Sequence, residues 1–202
     1  GIKDKDYETA LSIKDKIYEK VLDIAHEFME TKGRAFPATI DRIQLCAELE
    51  NGAIIKGESE IDVPKKHDPL FKIKRVFLEP DATAYSGAIF AIKKADVIVI
   101  GPGDLYSSII PCFLAGGIRE EARKSKAKKI LGCNMMTKCG ETNGFSVVDF
   151  ASEVEKYIGC ALDFVICNTE IPAKARIEEN RKTDLLVIEP VLVNRGLDSK
   201  KF

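Results

Sequence analysis

From Tyr7 to about Thr31 the apolar positions Leu11, Ile13, Ile17, Val21, Leu22, Ile24, Phe28 and Met29 recur mostly at three- and four-residue steps, and Gly33 follows. That period gathers them on one face of a long amphipathic helix, which predicts packing of that face against a core. The period then changes. "RIQLCAELENGAIIKGESEI", residues 42–61, alternates apolar and polar positions around Asn51-Gly52. This pair tolerates the positive backbone angles of a tight turn, so the segment predicts a β-hairpin.

"VPKKHDPLFKIKR" carries Pro64 and Pro69 among basic residues and reads as a loop, with "RVFLEP" after it as a short strand. Three further short apolar runs follow: "DVIVIG" at 96–101, "KKILGCN" at 128–134 and "DFVICN" at 163–168, with helical periodicity between them. Strands alternating with helices predict crossovers, and hence a parallel sheet with helices on both faces. "LLVIEP" near the end reads as a further strand. The expected class is α/β: a Rossmann-like parallel sheet, a β-hairpin and a long N-terminal helix, in one domain over residues 1–202.

Composition changes this picture little. The 31 Lys and Arg against 32 Asp and Glu leave a net charge of -1, so no overall field favours nucleic acid or an anionic membrane. Six cysteines, Cys46, Cys112, Cys133, Cys139, Cys160 and Cys167, form no Cys-x-x-Cys pair, and several lie in apolar runs. That usage suits a reducing cytosol. No stretch reads as a signal peptide or has the length needed to cross a bilayer, so a soluble cytoplasmic protein is expected.

In a parallel sheet the strand-to-helix loops share one edge, where ligands commonly bind. Three distant segments are thereby predicted to meet: "GPGDLYSS", "NMMTKCGETNGFS" and "NTEIP". In the first, Gly101 and Gly103 let backbone approach a ligand, Ser107 offers a hydroxyl, and a helix start offers unpaired N–H groups. The residues alone leave a plain turn and a ligand loop equally open. Asp104 would repel an anion; capping the helix or meeting a ribose hydroxyl suits it better. The second loop offers Asn134, Thr137, Glu141 and Thr142 as hydrogen-bonding groups, with Gly140 allowing a tight turn. The third adds Asn168. Ser146 and Asp149 have the spacing of a capping box for the next helix.

Other chemistries lack parts. His26 and His67 are the only histidines, too few for a histidine-cysteine metal site or a serine-histidine-acid triad. The basic end of "REEARKSKAKK" has no interleaved aromatic residues and does not read as a nucleic-acid surface. No residue is assigned a catalytic or metal-binding role. A magnesium ion bridging the phosphates of a ligand is chemically reasonable, and a homo-oligomer is compatible with the sequence.

"PATIDRIQLCAELENGAIIKGESEI", "ADVIVIGPGDLYSSIIPCFLAGGIRE", "KILGCNMMTKCGETNGFSVVDF" and "LDFVICNTEIP", in that order, resemble the bacterial gluconeogenesis factor family, the YvcK-like proteins. These are relatives of the CofD-type 2-phospho-L-lactate transferase. The resemblance covers about residues 33–172. It implies a Rossmann-like sheet that binds a nucleotide or nucleotide sugar at its loop edge, in a regulatory protein linked to carbon metabolism and cell shape. On that reading Gly101, Gly103 and Ser107 would meet phosphate, and Asn134, Thr137, Glu141 and Thr142 the sugar or base. The alternative it implies is a transferase moving a phospholactyl-type group from a guanosine diphosphate-linked donor to a deazaflavin. "SIIPCFLAGGIRE" is similar in both branches.

Two departures stand against that pattern. The family usually carries serine or asparagine where this chain has Asp104, and often proline or a small residue where it has Cys139. Its opening glycine-rich strand-to-helix loop and the "DDGGS"-like loop after it have no counterpart here. The chain is therefore expected to be the later part of a longer domain of this kind, holding half of the binding site.

Overall fold

The computed structural model describes residues 13, 16, 17, 20–24, 27, 32–65, 67–170, 173 and 190–192. Of the expected N-terminal helix, the described positions from Ile13 to Glu27 are helical, and the rest of that helix lies outside the described residues. Ile13, Ile17, Val21 and Ile24 are exposed rather than packed on the core.

The predicted hairpin forms. Strands β1 (Gln44–Leu49) and β2 (Ile54–Lys56) pair antiparallel. The turn is closed by Leu49 N–H to the Ala53 carbonyl at 2.9 Å and by Ala53 N–H to Asn51 Oδ1 at 3.0 Å. Gly52 takes φ 85°, the left-handed setting this turn needs. Beyond β2 the alternation in "GESEI" does not continue as strand. Glu58–Asp62 is a short helix, α1, whose first turn is fixed by Glu60 and Ile61 N–H groups donating to the Gly57 carbonyl. Helix geometry turns Ile61 inward, where it is almost wholly buried. β3 (Ile73–Glu79) pairs with the other edge of β1, giving an antiparallel sheet in the order β2-β1-β3.

The later part alternates as expected. Helix α2 (Ser86–Lys94) leads into β4 (Val97–Ile100). A single π-helical turn (Leu105–Ile109), α3 (Pro111–Leu114) and α4 (Ile118–Lys124) lead to β5 (Lys128–Gly132), and α5 (Val147–Ile158) leads to β6 (Phe164–Ile166). β4, β5 and β6 form a parallel sheet in that order. The sequence after β4 does not make one continuous helix. Pro111 has no N–H to continue an α-helical ladder, and the turn before it widens. Ile109 and Ile110 donate to the carbonyls of Asp104 and Leu105, five residues back, at 3.0 and 2.9 Å. The capping box at α5 is present: Ser146 N–H donates to Asp149 Oδ2 at 2.8 Å, and Asp149 N–H donates to Ser146 Oγ.

One hydrophobic cluster joins the two sheets through the helices. It includes Leu45, Ala47, Leu49, Val76 and Leu78 from the antiparallel sheet, Ile100, Leu131 and Val165 from the parallel sheet, and Ala122, Phe150, Val154 and Ile158 from α4 and α5. Tyr157 of α5 ties the helices to β3 by accepting the Val76 N–H at its phenol oxygen, 2.8 Å away. Of the expected terminal strand, 185–189 lies outside the described residues. Pro190–Leu192 runs beside the second loop, with Val191 N–H donating to the Met135 carbonyl at 3.0 Å. The architecture is a mixed α/β, Rossmann-like arrangement. No described helix is long and apolar enough to cross a membrane.

Candidate functional site

The C-terminal ends of β4, β5 and β6 bring the three loops together. Asn134, just past β5, reads the backbone of Gly103, just past β4. Gly103 N–H donates to Asn134 Oδ1 at 3.2 Å, and Asn134 Nδ2 donates to the Gly103 carbonyl at 2.8 Å. A primary amide matches one peptide unit in both directions, so a single side chain fixes the two loops in register. The third loop joins through Asn168, whose Nδ2 lies 3.6 Å from Met135 Sδ. Asn168 also accepts from Glu170 N–H at 3.0 Å.

Glu141 is almost fully buried and is the acceptor around which the π-helical turn is built. Its Oε2 accepts from Tyr106 N–H at 2.7 Å and Ser107 N–H at 3.2 Å, and its Oε1 accepts from Ser107 Oγ at 2.8 Å. Burial pushes the Glu141 carboxyl above its ordinary value, while these donors and Lys138 oppose that shift. Tyr106 is buried too, and its phenol is pushed upward by burial and then by Glu153 of α5.

Lys138 lies among three carboxylates. Its ammonium pairs with Asp62, lies 2.7 Å from Asp104 Oδ2, and is 3.5 Å from Glu141 Oε1. Burial alone would lower its pKa, but Asp104 and Asp62 overturn that and hold it at about 12. Asp62 is correspondingly lowered, chiefly by its hydrogen bond from Lys138. Asp62, Asp104 and Glu141 each offer an oxygen within 4.8 Å of the others. Hard oxygen donors of this kind suit magnesium, and the Lys138 ammonium stands among them with one positive charge against the three carboxyl groups.

The residues singled out from sequence therefore divide into two groups. Gly101 is exposed, Gly103, Asp104 and Asn134 are partly exposed, and Asn168 is exposed. Ser107, Thr137, Gly140, Glu141 and Thr142 are buried in the frame of the loops. Thr142 Oγ1 accepts Lys138 N–H at 2.8 Å, and Gly140 packs on Pro64, where a Cβ would come within 2.8 Å of Pro64 Cγ. The hydroxyl and N–H of Ser107, expected to face a phosphate, are turned inward because Glu141 takes both. Asp104 sits at the position before the π-helical turn but makes no capping bond with its side chain; it pairs with Lys138 instead.

Gly101, unlike Gly140 and Gly144 of the second loop, has no left-handed backbone that would call for glycine. Nothing lies within 4 Å of where its Cβ would be. The fold thus has no steric use for a glycine there, whereas a ligand approaching that backbone would. Asp62 and Lys138 were not singled out from sequence. Lys138 lies inside the second loop, but Asp62 is 76 positions away and has no local signature. Cys133 follows β5 and Cys167 follows β6, and burial raises the Cys133 thiol to about 11 with Cys167 adding to it, which keeps it a packing group.

Residues 9–197 match the family described as 2-phospho-L-lactate transferase CofD. The chain is 39% identical over 163 residues to the gluconeogenesis factor of Listeria innocua, covering 80% of this chain and 49% of that protein. It is 36% identical over 168 residues to the gluconeogenesis factor of Bacillus subtilis, covering 80% and 51%. A crystal structure from Bacillus halodurans, described as a member of the UPF0052 family, matches with a TM-score of 0.76 at 37% identity, covering 85% of this chain and 54% of that one. The chain spans about half the length of the curated relatives it matches.

Proposed function

The chain belongs to the 2-phospho-L-lactate transferase CofD family, and from that premise we propose that it serves as a nucleotide-sugar-binding regulatory protein of the gluconeogenesis factor type. The observation that carries this reading is the double hydrogen bond between Asn134 and Gly103. It holds open backbone at Gly101 beside the second loop, at the sheet edge where nucleotides commonly bind.

Gly101 and the neighbouring backbone would meet the diphosphate. Asp104, Asn134 and Asn168 would take hydroxyl and amide groups of the ribose, sugar or base. Ser107, Thr137, Glu141 and Thr142 would act by shaping the loops rather than by touching the ligand. A magnesium ion arriving with the diphosphate would find oxygen donors at Asp104 and Asp62, with Lys138 displaced toward the phosphates. In cells the protein would link carbon metabolism to envelope construction, and its loss would impair growth on gluconeogenic carbon sources and normal cell shape.

Calorimetric titration with uridine diphosphate-N-acetylglucosamine, with and without magnesium, tests the binding step. Heat that saturates at one equivalent and weakens in Asn134→Ala is the expected result; no heat with any uridine or guanosine nucleotide would overturn it. A second reading is favoured by the transferase description of the matched family. It expects turnover of a deazaflavin acceptor with a guanosine diphosphate-linked phospholactyl donor.

A further inference from the structure

Asp104 and Lys138 stand where the first two loops meet, and the charges around them do not balance. The Lys138 ammonium pairs with Asp62, lies 2.7 Å from Asp104 Oδ2 and is 3.5 Å from Glu141 Oε1. No other cation pairs with these three carboxyl groups among the described residues. Even with the buried Glu141 set aside, Asp62 and Asp104 outweigh the single ammonium. This excess is open to the loop edge: the Asp104 side chain is 41% exposed and that of Asp62 33%.

Asp104 is three residues beyond Gly101, so their Cα atoms are at most about 11 Å apart. A ligand phosphate resting on the Gly101 backbone therefore lies within about a Debye length of the Asp104 carboxylate and feels its charge. The loop cannot swing that carboxylate away. Asn134 grips Gly103 on one side of it, and Lys138 holds its own Oδ2. The nearby donors that would offset its field are already taken. Gly103 N–H goes to Asn134, and the N–H groups of Tyr106 and Ser107, with the Ser107 hydroxyl, go to Glu141.

We propose that Asp104 is a specificity-determining residue, which turns away a terminal phosphate and so favours a diphosphate capped by a sugar over the free nucleoside diphosphate. Each phosphate of a capped diphosphate carries a single charge, whereas a terminal phosphate carries up to about two near neutrality. Discrimination here is repulsive, a charge set against the wrong ligand rather than a contact added for the right one. Lys138 limits its size by neutralising part of the excess. The inference rests on the nucleotide-sugar reading of this edge.

Titration calorimetry of the full chain at about pH 8, where a terminal phosphate is fully ionised, tests it with uridine diphosphate and uridine diphosphate-N-acetylglucosamine, with and without magnesium. The unaltered chain should bind the capped ligand about tenfold more tightly, the effect of one charge at about 10 Å in a medium of effective dielectric about 20. The ratio should be largest without magnesium, which brings opposing charge. Asp104→Asn keeps an acceptor oxygen and removes the charge, so it should strengthen uridine diphosphate by about tenfold and the capped ligand by less. Asp96→Asn makes the same change in net charge at the opposite, exposed end of β4, roughly 16 Å from Gly101 along the strand, and should leave the ratio as it was. A residue that only accepted a hydroxyl or held Lys138 in place would give no gain for uridine diphosphate on this substitution. No such gain in Asp104→Asn, an equal gain in Asp96→Asn, or equal affinities in the unaltered chain would overturn the proposal. No heat from either ligand with any of the three proteins would overturn the nucleotide-sugar reading itself, and this inference with it.

Discussion

Ser107 gives both of its donors to Glu141, its N–H at 3.2 Å and its hydroxyl at 2.8 Å. One buried carboxylate thereby does for the π-helical turn what a capping side chain does for a regular helix. It satisfies N–H groups that the widened turn leaves without a carbonyl. The same contact commits the hydroxyl to the frame. A ligand at this edge would then meet the backbone at Gly101 and the outer side chains, because the Gly103 N–H already donates to Asn134.

Replacing Glu141 with Ala should orphan the Tyr106 and Ser107 N–H groups in a buried site. The loss is expected to be at least about 1–3 kcal/mol, the cost of one such donor left unmet. Chemical denaturation compared with the unaltered chain would measure it. An unchanged midpoint would show that water replaces the carboxylate.

The pH dependence has two opposed parts. Burial raises Glu141 above its ordinary value, so its contribution is complete below about pH 4.3 and declines as pH rises through the raised value. Asp62 is lowered by Lys138, so its contribution is present above about pH 3.9 and is lost as pH falls through the lowered value. Glu141→Gln should therefore look most damaging in acid and recover relative to the unaltered chain toward neutrality. Lys138→Met should remove much of the acid-side loss that Asp62 causes. Melting temperatures of the three proteins across that range would separate the two.

Tyr157→Phe removes the acceptor for the Val76 N–H and nothing else of the ring. Val76 is buried, so the N–H has no ready access to water. A cost of about 1–3 kcal/mol, or a fall of about 2–12 °C in melting temperature, is expected. A fall below about 1 °C would mean that the Tyr157 hydroxyl adds nothing measurable to the ladder pairing and packing of this sheet.

Much of this fold is legible in the sequence because its signals are local. Asn51-Gly52 between alternating runs, Ser146 three residues before Asp149, and three apolar runs between helical stretches each carry their own geometry. The site is less legible because its decisive contacts are not local. Lys138 meets Asp62 across 76 positions, and Glu141 reaches Ser107 across 34. Nothing in either segment distinguishes a side chain that will be spent inside the fold from one offered to a ligand. Pro111 did carry a local sign that the helix after β4 could not be regular. The direction in which Ser107 then turns follows from Glu141 alone.

Gly101 and Gly140 separate loop shape from ligand approach. Gly140 has φ 84°, and a Cβ there would stand 2.8 Å from Pro64 Cγ. Gly140→Ala should cost about 1–2 kcal/mol from the left-handed backbone alone, before any clash is relieved. Gly101 has open space around it and an ordinary backbone angle. Gly101→Ala should leave stability within about 0.5 kcal/mol, as surface changes usually do. If the room at Gly101 exists for a diphosphate, the same substitution should weaken nucleotide-sugar binding while Gly140→Ala loses stability first. Parallel thermal melts and titrations of the two variants decide it. Full affinity in Gly101→Ala would move the phosphate contact away from this loop.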